Sequence, residues 1–295
     1  MDFRLLKDRC AGGVFFVLTA GSCLLILPIA AGLFLKSLPV LRHQSILSIL
    51  TSAEWSPLGG RFGMLPFVAG TVYITTLALA LAVPVSLLTA IYLAEYAPRG
   101  VRQAFLPVLD LLSGIPSVIF GVWGILVVVP AVARMADTFG AYSSGYSLLA
   151  GAVVLALMVC PFITHLAHEV ISAVPSGIRE ASLSLGATRW QTVKHTIVRR
   201  ALPGITAAIV LGFSRAFGET IAVLMVAGNV PAIPRSVFDP AYPLPALLAN
   251  NYGEMMSIPL YGSALMLSAL VLLAVVLGFN VLARGLLRLA PEGQE

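Results

Sequence analysis

Residues 148–228 read LLAGAVVLALMVCPFITHLAHEVIS (148–172), AVPSGIREASLSLGATRWQTVKHTIVRRALP (173–203) and GITAAIVLGFSRAFGETIAVLMVAG (204–228). A helix crosses a bilayer with about 20 mostly apolar residues, so both flanking runs are long enough to span one. The segment between them is far longer than a helix hairpin needs and must have structure of its own. After Pro175, residues Ser176 to Leu185 read as a short helix, and Gly186 is placed to end it in the left-handed conformation that glycine adopts at little cost. Thr188 and Gln191, three apart, form a capping box that opens a second helix. On it Trp190, Val193 and Ile197 share a face and Lys194, Arg199 and Arg200 lie around it, until Leu202-Pro203 closes the segment. Two readings fit this pair. It is a knob for a soluble protein to grip, or a pair of interfacial helices resting on anionic lipid.

Outward from this stretch the whole chain has membrane character. Of its 295 residues 59% are hydrophobic and 11% charged, with a mean hydropathy of +0.96. A soluble core of this size has no use for that much apolar side chain. Apolar runs near 11–35, 67–94, 106–130, 148–172, 204–228 and 260–284 predict six transmembrane helices, since they are too continuous for the alternating strands of a barrel. The first run follows Arg4, Lys7 and Arg9, but it exceeds the 7–15 apolar residues of a signal peptide. Cys23 lacks the upstream Leu of a lipoprotein site, with Ala20 in its place, so the run reads as a retained helix. Cys10, Cys23 and Cys160 have no CxxC spacing and suggest neither a disulfide framework nor a metal site.

With the N-terminus cytoplasmic, twelve Lys and Arg residues fall on the inner side and five on the outer, with Arg215 left inside a span. The positive-inside rule then places both termini in the cytoplasm. The formal net charge of +5 comes from these membrane-flanking residues, so no nucleic-acid partner is expected. The outer segments 36–65 and 229–258 are long, and the second carries five prolines. They read either as solvated connectors or as a docking face for an external partner, with Trp55, Arg61, Arg235 and Asp239 as candidates.

Arg215 and Glu219 sit within the fifth run, where an ionised side chain costs about 2.5–3.5 kcal/mol on insertion scales. Spaced i, i+4, they are expected on one helix face, together with Ala208, Gly212, Gly218 and Ala222. Either they neutralise each other inside the bundle, or Arg215 offers its fork of donors to a tetrahedral oxyanion while Glu219 holds it between passages. Thr220 adjoins them on the expected substrate path. Asp110 reads as an interfacial carboxylate with no assigned role. His165, His168 and Glu169 share a face, but their HxxHE order matches no zinc pattern, and no metal is expected. The three lysines, Lys7, Lys36 and Lys194, follow Leu, Leu and Val, so none ends a nucleotide-binding P-loop.

Glu180-Ala181-Ser182, Gly186 and the later Leu202-Pro203 resemble the EAA-type coupling motif of ATP-binding-cassette importer permeases, with Ser182 where Ala is common. Ser214 to Asn229, SRAFGETIAVLMVAGN, resembles the matching stretch of phosphate-transport permeases of the PstC type, as do Glu54 to Pro57, Phe62 to Phe67 and Ile115 to Gly121. The resemblance implies an all-α integral membrane protein with the type I (MetI-like) permease fold. A first helix and outer loop (1–65) would precede a transmembrane domain (66–288) that includes the coupling segment 173–203. It implies half of a phosphate path in the cytoplasmic (inner) membrane, a PstA-type partner permease, two PstB-type ATPases carrying ATP and Mg, and an external PstS-type binding protein. Glu180, Ala181, Gly186 and Arg189 would face the ATPase. No covalent chemistry and no cofactor are expected in the chain. A permease for molybdate or sulfate shares these features; a channel or secondary transporter leaves 173–203 unexplained.

Overall fold

The computed structural model describes residues 2–289, apart from the side chains of 2–6, 8–10, 282–284 and 286–289. The side chains of Cys10 and of Arg4, Arg9, Arg284 and Arg288, the arginines used in the orientation argument, are thus not described. The helices, in order, are α1 (Asp2–Leu24), α2 (Ile26–His43), α3 (Ile46–Thr51), α4 (Leu65–Ile91), α5 (Arg99–Gly114), α6 (Ser117–Trp123), α7 (Val129–Thr138), α8 (Leu148–Ser172), α9 (Ser176–Ser184), α10 (Arg189–Gln191), α11 (Val198–Gly218), α12 (Ile221–Val226), α13 (Leu244–Asn251) and α14 (Pro259–Leu289). π-helical turns at Tyr92–Tyr96, Gly124–Val128 and Thr192–Ile197 extend α4, join α6 to α7 and join α10 to α11. The short strands β1 (Trp55–Ser56) and β2 (Arg61–Phe62) pair antiparallel.

Among the described residues six helical segments are long and apolar enough to cross a membrane: Ala11–His43, Leu65–Tyr96, Ser117–Thr138, Leu148–Ser172, Arg189–Gly218 and Pro259–Val281. Two of them correct the sequence reading. The run 106–130 is not one helix, because Ile115 stands before Pro116 and is held extended at φ −64°, ψ 130°. The residue before a proline is pushed away from the helical region by the ring. Arg99–Gly114 is therefore a separate amphipathic helix, and the span starts at Ser117. The second correction is at Leu202-Pro203, where no helix ends: α10, its π turn and α11 run on from Arg189 to Gly218. Proline is tolerated in a membrane helix where neighbours and local π turns satisfy the freed backbone groups, and the π turn Thr192–Ile197 lies just before it.

α4 and α8 run parallel as the central pair. Ile74 meets Gly151 near their start, Ser86 Oγ donates to Cys160 O at 3.1 Å midway, and Ala90 clusters with Ala167 and Ile171 at the far end. α11 returns antiparallel against α8, with Gly204 on Val170 and Gly212 on Ile163. The small residues of α11 do admit a neighbouring helix, as their pattern predicts. This arrangement separates two ends. At one, the 44–64 segment folds onto α14 through Trp55, whose ring packs edge-on against Phe62, Phe67 and Tyr261, and the proline-rich loop is fastened to the start of α8 by Leu148 N donating to Asp239 O at 2.8 Å. The other end carries the π turn of α4 and the 173–203 segment.

Candidate functional site

In the 173–203 segment the local signals hold. α9 covers Ser176–Ser184, Gly186 has φ +83°, and the capping box closes, with Gln191 N donating to Thr188 Oγ1 at 3.3 Å and Thr188 N to Gln191 Oε1 at 2.8 Å. Ser182, at the motif position where Ala is common, hydrogen-bonds Thr192 at 3.0 Å and ties the two short helices together. Val193 and Ile197 are buried against the bundle. Trp190, expected beside them, is 56% exposed, in the first turn of α10 at the very start of its helical segment. With Leu183 and Leu185 it leaves an apolar patch on the outer side of the knob, and Glu180, Ala181 and Gly186 are exposed there too.

The inner side of the knob is fastened around Glu95, which the sequence did not single out. Glu95, in the π turn of α4, has a side chain only 8% exposed. Arg179 of α9 meets its carboxylate with Nε at 3.0 Å and Nη2 at 2.7 Å, and also donates to Ile171 O at 3.1 Å and to Val174 O. Arg189 donates to Glu95 O and lies over the Tyr96 ring at 4.8 Å. Arg102 of α5 donates to Leu93 O at 2.9 Å and Ala94 O at 2.5 Å. Arg189, expected to face the ATPase, thus turns its guanidinium toward its own chain. The only sequence signal for this site was the density of arginine beside these helix ends.

Gly186 has open space where a Cβ would stand, so its requirement is conformational alone. Gly186→Val is expected to strain the turn by about 1–2 kcal/mol. It should lower stimulation of the ATPase by loaded binding protein while leaving assembly intact, measured as ATP hydrolysis in the reconstituted complex; normal stimulation would discount the turn.

Arg215 and Glu219 do not share a helix face. α11 stops at Gly218, Glu219 is extended (φ −72°, ψ 124°), and a new helix, α12, begins only at Ile221. With the helix unwound, i, i+4 geometry no longer applies, and among the described residues no ion pair joins the two. Arg215 is exposed on the side of α5 and α8, its Nη2 3.3 Å from Ser113 O and its guanidinium 5.0 Å from the centre of the Phe162 ring. Glu219 turns the other way and lines, with Thr71 and Thr75 of α4, a cavity of about 10 Å³, too small for a tetrahedral oxyanion. Thr220 Oγ1 donates to Gly218 O at 3.2 Å and borders a separate groove beside Pro245 and Tyr252.

One turn along α8 from Phe162, His165 lies between two carboxylates, with Nδ1 3.0 Å from Asp110 Oδ1 and Nε2 3.3 Å from Glu169 Oε1. Asp110 thus faces α8 from the last third of α5. His168 points elsewhere, to Ser172, and among the described residues no group of three ligands is placed to hold a metal. Of the four docking candidates, Trp55 is the hub of the aromatic cluster and Asp239 Oδ2 accepts from Arg235 N and Ser236 N, both at 2.9 Å. Arg61 pairs with Glu54 at 2.6 Å, both exposed, and Arg235 is exposed.

Ionised side chains in the middle of spans are costly against lipid and belong where protein or water covers them. The six apolar spans among the described residues define a multi-pass membrane protein. Residues 82–290 match the family described as binding-protein-dependent transport system inner membrane component, and the chain belongs to that family. It is 39% identical over 242 residues to the probable ABC transporter permease protein YqgH of Bacillus subtilis, covering 81% of this chain and 77% of that protein. It is 32% identical over 305 residues to the phosphate transport system permease protein PstC of Mesorhizobium japonicum, covering 97% and 93%. Among solved structures it is similar to a chain of the bacterial alginate ABC transporter, with TM-score 0.66 at 14% identity over 99% of this chain and 100% of that one. A chain of the inward-facing MetNI methionine ABC transporter gives TM-score 0.61 at 19% identity, over 81% and 100%. These structural likenesses establish the MetI-like importer permease fold.

Proposed function

We propose that the chain forms half of the translocation path for inorganic phosphate in an ATP-driven importer. The observation that carries this reading is the similarity to a phosphate permease over 97% of the chain. The geometry supports it at one point: Arg215 stands exposed beside an interrupted helix, with much of its donor fork free for an oxyanion. A PstA-type permease covers the face that bears Arg215, Asp110 and Glu169, and supplies further positive charge. Two PstB-type ATPases, holding ATP and Mg, grip the apolar patch around Leu185 and Trp190. A PstS-type binding protein docks on the opposite end, where Arg61 and Arg235 are exposed. The 173–203 end faces the cytoplasm and the chain lies in the inner membrane, as its basic residues favour.

The test is uptake of labelled phosphate into vesicles holding all four kinds of subunit. Uptake should require ATP and should be competed by unlabelled phosphate. Competition by excess molybdate or sulfate, with none by phosphate, would assign the path to another oxyanion.

A further inference from the structure

We infer that Glu95 is the positioning residue through which movement of the 173–203 segment enters the second membrane span. The inference rests on the ATP-coupled reading above. Three guanidinium groups from α5, α9 and α10 converge on the π turn Tyr92–Tyr96 that ends the second span. The last carbonyls of a helix have no donors of their own; here Leu93 and Ala94 receive Arg102, and Glu95 O receives Arg189. The Glu95 carboxylate lies at a helix C-terminus, where the helix dipole disfavours negative charge, and Arg179 offsets this directly. The same guanidinium reaches Ile171 O and Val174 O at the end of α8. One side chain of α9 therefore holds the ends of two spans at once.

Apart from these arginine contacts, the segment meets the bundle through apolar packing. Val193 and Ile197 are apolar and can slide within their packing, whereas a planar fork on a carboxylate is directional. Displacement of the knob is thus passed to α4 at Glu95, while Arg179 meets the end of α8 separately through the carbonyls of Ile171 and Val174. From there α4 runs to Thr75 and Thr71, about 30–36 Å along the helix at 1.5 Å per residue, and these threonines line the cavity that holds Glu219. α8 is fastened to α4 midway by the Ser86–Cys160 hydrogen bond, so the two ends shift together. Grip on the knob and the unwound turn at Glu219 are joined by one continuous element.

The test compares Glu95→Gln and Glu95→Asp with the unaltered chain in the fully reconstituted importer, and reads labelled phosphate moved per ATP hydrolysed. Glu95→Gln should keep the ATPase subunits bound and hydrolysing while phosphate per ATP falls about tenfold; Glu95→Asp, which keeps the charge, should recover part of that ratio. A Glu95→Gln importer with an unchanged ratio overturns the inference. So does one in which transport and hydrolysis fall together in proportion to lost complex, the signature of a merely structural role. If the unaltered importer moves a different oxyanion, the phosphate reading fails, and the same ratio measured with that oxyanion still decides the role of Glu95.

Discussion

Arg215→Gln is expected to reduce phosphate uptake by about two orders of magnitude, the usual effect of removing one well-placed donor to an oxyanion, while the complex assembles normally. Both halves of this expectation follow from the surroundings of Arg215. Among the described residues its hydrogen bond to Ser113 O is long at 3.3 Å, and its guanidinium lies over the face of the Phe162 ring. It has no carboxylate partner at Glu219, so its loss leaves no buried charge uncompensated. Arg215→Lys should be intermediate, because the charge remains and the planar fork does not. Uptake of labelled phosphate, set against co-purification of the partner subunits, checks both variants. Undiminished uptake in Arg215→Gln would take the residue out of the path.

Gly145→Ala should have the largest effect on stability. Gly145 lies between α7 and α8 at φ +88°, and a Cβ there would stand 2.2 Å from Val129 O. The left-handed conformation costs an L-residue about 1–2 kcal/mol, and forcing atoms into a packed site adds about 1–3 kcal/mol. The collision is with backbone, so no rotamer relieves it. The consequence extends beyond the turn, because Gly145 positions Ser147, whose Oγ accepts from Ala150 N to start α8 and whose N donates to Val226 O. Thermal denaturation of the detergent-solubilised protein should shift down by roughly 5–10 °C. An unchanged midpoint would show that α7 and the turn can move apart freely.

Much of the fold is legible without coordinates because its causes are local. Apolar run length predicts the spans, the Thr188–Gln191 pair predicts its own cap, and Gly186 adopts the left-handed turn that its position between two short helices demands. Each of these depends on a few neighbouring residues. The breaks at Ile115-Pro116 and Glu219 were harder, since an apolar run shows where a chain can be buried and not whether its helix is continuous. Pro116 interrupts a helix and Pro203 does not. The difference lies in what surrounds each proline.

The candidate site divides along the same line. Its residue types were readable: an arginine and a carboxylate inside a span, and a basic knob between two spans. Their partners were not. Arg215 and Glu219 are four residues apart in the chain yet face different neighbours, while Arg179 and Glu95 are 84 apart and in contact. The 173–203 segment therefore stands on two kinds of cause. Its helix, turn and cap are dictated by its own sequence, because capping and glycine conformation act over three or four residues. Its attachment to the spans exists only in the tertiary structure, because an ion pair forms wherever folding brings opposite charges together out of water, at any separation along the chain.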